Sequence, residues 1–178
     1  MKRAVLALAP VFVGLAACSA TTARGAPTVV SSETPPTERT VVQPPPTPRP
    51  ATDEKCPYLE SSFVASANGQ KVGKVSISAD KPNPACFFYR PDGNQQLSTQ
   101  VYVGDPNVAK ALVDRSAPIE TSNRAELSDG WTGGAQPTDN GAVFAVAKDG
   151  TAVVVTTNQK QTIKAKQVAE KVISALGL

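Results

Sequence analysis

Two apolar runs, residues 142–147 (Ala-Val-Phe-Ala-Val-Ala) and residues 151–156 (Thr-Ala-Val-Val-Val-Thr), stand on either side of Lys148-Asp149-Gly150. Asp-Gly between two β-rich runs is the signal of a short hairpin. Both runs are apolar on both faces, so their strands have to lie centrally in a sheet that is covered at least partly on each side. The rest of the chain must supply that cover.

Three helices can provide it. Leu59, Phe63, Val64 and Ala67 recur at helical spacing, with Pro57 suited to a first helical position and Asn68-Gly69 as a stop, which predicts an opening helix over 57–67. Asp105-Pro106 starts a middle helix whose Ala109, Leu112, Val113 and Ser116 share one face, and Pro118 ends it. The last helix carries Ala165, Val168, Ala169, Val172, Ile173 and Leu176 in one stripe, with Lys164, Lys166, Glu170 and Lys171 outside it. Gly177 stops that helix, and Asn158 with Gln161 forms a weakened capping box ahead of it.

Three further strands are expected at about 71–78, 86–89 and 97–103, separated by Lys81-Pro82-Asn83-Pro84 and Pro91-Asp92-Gly93-Asn94. Residues 119–140 are polar and rich in turn formers, and read as irregular chain. The expected fold is therefore α+β, a small antiparallel sheet of about five strands with an opening helix, a middle helix and a C-terminal helix packed on it. It occupies 56–178 as a single domain, about 120 residues and inside the usual size range.

Ahead of Cys56 the composition changes. Thr, Ser, Pro and Val dominate, with Pro35-Pro36, Pro44-Pro45-Pro46, Pro48 and Pro50 and hardly a large apolar side chain to bury, so 18–55 reads as a disordered tether. Sharper readings are that Pro44 to Pro50 docks to an aromatic groove or that the threonines carry sugars.

Lys2-Arg3, an apolar run from Ala4 to Leu15 and then Leu15-Ala16-Ala17-Cys18 read as a leader over 1–17 that ends in a lipobox. The run is too short for a spanning helix, which takes roughly 20 residues. Cutting there and lipidating Cys18 would anchor the chain at the cell membrane on its extracytoplasmic face, with palmitate-type acyl chains in the bilayer. Ser19 in place of Asp leaves out the inner-membrane retention signal of double-membrane bacteria. The other reading is an ordinary secretory signal cut after Ala20, with Cys18 discarded.

With Cys18 assigned to lipid, Cys56 and Cys86 remain as an even pair in a chain facing an oxidising space, and a disulfide is the economical reading. It would tie the start of the opening helix to the second strand. A redox or metal site finds no support, because there is no C-x-x-C and no histidine, so no metal or other cofactor is expected. The net charge of +3 comes largely from residues ahead of Cys56, and without a basic stripe or stacking aromatics nucleic acid is excluded as a partner.

Lack of histidine also removes the usual general base, and no G-x-S-x-G elbow appears, so no catalytic residue is assigned and the chain is not read as an enzyme; an enzyme without histidine, working through Asp, Glu or Lys, is the third and least favoured reading. Trp131, followed by Gly133-Gly134, is the candidate for contact with a partner or ligand; the alternative is that it caps the core beneath its own loop. The expected function is a non-catalytic binding or interaction module of the cell envelope, whose partner is an envelope protein, polymer or lipid. A carrier of an apolar ligand between sheet and helix is the second reading, and needs a cavity of about 300 Å³ or more.

Cys56-Pro-Tyr-Leu, Phe63-Val-Ala, Asn68-Gly-Gln, Pro84-Ala-Cys86, Ala117-Pro118, Gly130-Trp-Thr-Gly-Gly134, Asn158-Gln-Lys-Gln and Lys164-Ala together resemble a family of actinobacterial, mycobacterial-type envelope lipoproteins whose domain has no assigned function. The resemblance spans most of 56–178 and implies location and architecture. It brings no catalytic residue with it.

Overall fold

In the computed structural model, residues 42–178 are described; the leader, the lipobox and Cys18 lie outside them. Helix α1 (Ser61–Asn68) precedes strands β1 (Lys74–Ile77), β2 (Cys86–Tyr89) and β3 (Gln95–Val103), helix α2 (Pro106–Ser116) precedes β4 (Asn123–Glu126), β5 (Thr132–Thr138), β6 (Gly141–Lys148) and β7 (Thr151–Thr157), and helix α3 (Thr162–Leu176) follows them. All strand pairs are antiparallel, in the order β1-β2-β3-β7-β6-β5-β4. No helix among the described residues is long and apolar enough to cross a membrane.

The expected hairpin forms the middle of this sheet. Lys148 pairs with Thr151 across Asp149-Gly150, β7 pairs on its other side with β3, and Val146, Val153 and Val155 are fully buried. One face is covered by α1 and α3, whose Val64, Ala165, Val168, Ala169 and Val172 pack with Phe88, Leu97 and Phe144. The opposite face carries α2 alone, with Ala109, Leu112 and Val113 against Ala145, Ala152 and Val154. Those side chains fill the space between the sheet and each helix.

Seven strands replace the five expected from sequence. The two extra strands, β4 and β5, fall in the stretch that composition marks as irregular. Thr132-Gly-Gly-Ala-Gln-Pro-Thr138 has low intrinsic β-propensity and no large apolar alternation, and becomes a strand because β6 offers it a full ladder from Thr132↔Ala147 to Thr138↔Gly141. Polar β4 then adds at the edge, where Arg124 and Glu126 pair with each other at 2.6 Å and discourage further strands.

The helices agree with their patterns in the interior and differ at their starts. Asp105 caps α2 as expected, its carboxylate accepting from the backbone N–H of Asn107 (2.8 Å) and Val108 (3.2 Å). Gly69 and Gly177 stop α1 and α3 in the left-handed region, at φ 71 and 65. But α1 begins at Ser61 after Glu60, so Pro57 is not its first residue. Tyr58 and Leu59 instead drop into the core, 7% and 2% exposed. The Asn158–Gln161 capping box does not form either: Gln161 is the N-cap of α3 with no side-chain cap, and Asn158 is engaged elsewhere.

The chain ahead of Cys56 is not wholly free of the domain. Ala51 and Thr52 donate to the carbonyl of Ile77 at 2.8 and 3.2 Å, and Thr52 accepts from the N–H of Ile77 at 2.8 Å, so Thr52 extends the outer edge of β1.

Candidate functional site

The recurrent sequence motifs converge first on a buried polar knot. Asn68, 1% exposed at the end of α1, donates through Nδ2 to Gln96 Oε1 (3.1 Å) and Asn158 Oδ1 (3.2 Å). Its Oδ1 accepts from the hydroxyl of Thr157, and its carbonyl accepts from Lys164 Nζ at 3.1 Å. Gln70 accepts from Asn158 Nδ2 at 3.0 Å, and Gln96 Nε2 donates to the carbonyl of Lys71 at 2.8 Å. Each member satisfies another, which is the condition for keeping polar groups inside a fold. Asn68-Gly-Gln, Asn158-Gln and Lys164 thereby act as a lock between α1, β3 and the β7–α3 connection.

The second group of motif residues holds the entry to α1. Cys56 and Cys86 form the expected disulfide, with Cα atoms 5.6 Å apart and a sequence separation of 30. Beside it the Tyr58 hydroxyl donates to the carbonyl of Pro84 at 2.7 Å and lies 3.0 Å from Thr99 Oγ1. Burial pushes the Tyr58 phenol up to about 12, while the Thr99 hydrogen bond pulls the other way.

Trp131, on the short connection ahead of β5, is 2% exposed and belongs to the core cluster on which Leu127, Ile173 and Leu178 pack. Its neighbours Gly133 and Gly134 lie inside β5 and act by leaving room. A Cβ at Gly134 would stand 2.9 Å from the Cβ and the carbonyl oxygen of Ala117, and one at Gly133 would collide with the backbone of Ala145. The pair lets β5 press against β6 and the end of α2. Gly133 also borders the cleft on the α2 side, whereas Trp131 belongs to the core cluster on the opposite face of the sheet.

One cleft opens on the α2 side. The 11-residue α2 lies over β6 and β7, reaches only the margin of β5 and ends at Ser116. A cleft of about 620 Å³ results. Thr132 and Ala147 form its floor, Val113 and Ala117 its helical wall, and Ile119, 83% exposed, its rim. Two ion pairs flank it, Lys110–Asp114 at 2.7 Å and Arg124–Glu126. The volume is that of a small-molecule or peptide side-chain site. Sequence reasoning passed over it; the one available signal was Ile119, a large apolar residue in a polar stretch with no periodic partner.

Among the described residues, no three Cys, Asp or Glu side chains converge as a metal site would require. No curated protein matches the sequence. A family match begins at residue 41, ahead of Cys56, and runs to the end of α3 and beyond to Leu178. That family is described as a domain of unknown function, DUF2020, its match takes in 41–178, and the chain belongs to it.

Proposed function

We propose that the protein is an extracytoplasmic lipoprotein of actinobacterial type, anchored at the cell membrane through lipid on Cys18, whose domain is a non-catalytic binding module. The observation that carries the binding reading is the cleft beside α2: a half-bare sheet face, a mixed floor of Thr132, Gly133 and Ala147, and an exposed Ile119 at the rim. Concave surface of that volume, with apolar and polar groups side by side, is what a small ligand or a partner's side chain fills. Lys110 with Asp114 and Arg124 with Glu126 are paired around it, and the chain contains no histidine, which favours binding over proton-transfer chemistry. The carrier reading is weaker because Val168, Ala169 and Val172 are fully buried where an apolar ligand between sheet and α3 would have to lie.

The location is tested by mass spectrometry of the native mature N-terminus, where diacylglyceryl-bearing Cys18 is expected. The module is tested by photocrosslinking on intact cells from a probe at Ile119. A partner should be captured there and lost when Thr132→Trp fills the cleft. An unmodified N-terminus would refute the anchor, and capture unaffected by Thr132→Trp would refute the cleft.

A further inference from the structure

The proline-rich stretch, taken from composition as part of a free tether, is laid against the domain with a regular pattern. Pro44, Pro45 and Pro48 are half-buried, while Pro46 and Thr47 are exposed. Proline fixes φ near the polyproline II value, and that helix repeats every 3 residues, so positions i and i+3 share one face. Pro45 and Pro48 stand in that relation and are partly covered by the protein, and Pro46, though exposed, still borders the same groove.

The surface beneath is suited to it. Pro45 and Pro46 face Tyr102, Val103 and Pro82 across a groove with about 200 Å³ of remaining space. Val103 is 56% exposed, and the Tyr102 ring is held in place because its hydroxyl accepts from the backbone N–H of Asp105 at 3.0 Å. Polyproline II makes no internal hydrogen bonds, so its carbonyls are free to accept. The carbonyl of Pro45 does so from Arg115 Nη1 at 2.6 Å. An aromatic ring, apolar neighbours and a donor to a proline carbonyl are the chemistry by which P-x-x-P segments are recognised.

We propose that the groove of Tyr102, Val103, Pro82 and Arg115 is a recognition site for proline-rich segments in the polyproline II conformation, and that the chain's own Pro44 to Pro48 occupies it in cis. Two further observations fix the strap to the domain. Its far end is bonded to β1 at Thr52 and through Asp53, which accepts from Ser76 Oγ at 2.7 Å. The family match starts at residue 41, so the strap belongs to the matched unit. Because a short link raises the effective concentration to the millimolar range, a groove with a dissociation constant on the order of 1 mM is enough to hold it. A proline-rich segment from another molecule has to displace the strap first. This assignment concerns a different surface from the cleft beside α2 and stands or falls independently of it.

The strap supplies no residue to either core cluster, so variants in it leave the interior intact. The test uses the full chain, wild type and with Pro45→Ser and Pro48→Ser together, titrated with a synthetic peptide of the sequence of residues 42–50 and followed by NMR at the amides of Lys81, Val103 and Arg115. The doubly substituted chain should bind the peptide at least about twofold more tightly than wild type, and Arg115→Ala added to it should abolish that binding. Equal affinity of the two chains, or no binding by either, overturns the proposal. A wild-type chain that dimerises with concentration while the substituted chain does not would overturn the cis assignment in favour of a strap exchanged between copies.

Discussion

Asn68 and Thr157 are 89 residues apart in sequence and joined by a buried hydrogen bond, hydroxyl to amide oxygen. Nothing local brings them together. The end of α1 is placed on the end of β7 by the polar knot, whose inner members Asn68, Gln96 and Thr157 are buried.

Asn68→Ala leaves the hydroxyl of Thr157 and Oε1 of Gln96 short of a partner. An unsatisfied buried group costs about 1–3 kcal/mol, so a loss of about 3 kcal/mol in unfolding free energy is expected. Urea denaturation measures it. A midpoint unchanged from wild type would mean that water replaces Asn68 without penalty.

Reduction of Cys56–Cys86, or Cys86→Ser with Cys56→Ser, opens a loop of 30 residues. The chain-entropy account gives a destabilisation of about 3–4 kcal/mol. Thermal unfolding with and without reductant should show it as a fall in Tm, with the sheet still formed at low temperature because Cys86 keeps its place in β2.

Tyr58 supplies a pH dependence with a definite sign. Its folded value is raised to about 12 from the ordinary 10.0, so above pH 10 the unfolded chain loses the proton first. Stability is unaffected below about pH 10, falls between about 10 and 12 as the folded state holds its proton more tightly, and levels off beyond. Tyr58→Phe should remove that alkaline slope and cost about 1 kcal/mol at neutral pH through the lost hydrogen bond to Pro84. Stability curves at several alkaline pH values, for both chains, are the measurement.

Trp131 is the sole tryptophan, so fluorescence reports on it alone. Emission should be blue-shifted and shielded from acrylamide in the native chain, and Trp131→Ala should destabilise by about 3–5 kcal/mol, as for other large core aromatics. Ready quenching would put the ring in solvent and contradict the packing on Ile173 and Leu178.

The parts of this fold that sequence pattern reveals are those whose residues carry their own periodicity. The 142–156 hairpin, the Asp105 cap and the Ala165–Val168–Ala169–Val172 stripe are legible because neighbours within one or two turns decide them. Strand β5 is not, since Gly133-Gly134-Ala135 is extended on account of β6 rather than its own side chains. The start of α1 is set by partners at Pro84, Cys86 and Thr99, too far along the chain for local pattern to register. Asn158 has the spacing of a cap and is recruited by Asn68 instead. The cleft is a matter of where α2 stops against a strand that composition conceals, and the strap is visible in sequence only as an ability to dock.

The strand order divides the sheet into two meanders, β1-β2-β3 and β4-β5-β6-β7, that meet only where β3 lies along β7. Within each meander every pairing closes a short loop, but Leu97↔Thr157 and Val103↔Thr151 bridge the whole middle of the chain. Each half can zip from its own turns in microseconds, while the seam between them must wait for a long diffusional search. Assembly speed is thus governed by one junction, and the sulfur bridge, confined to the first half, does nothing to shorten that search.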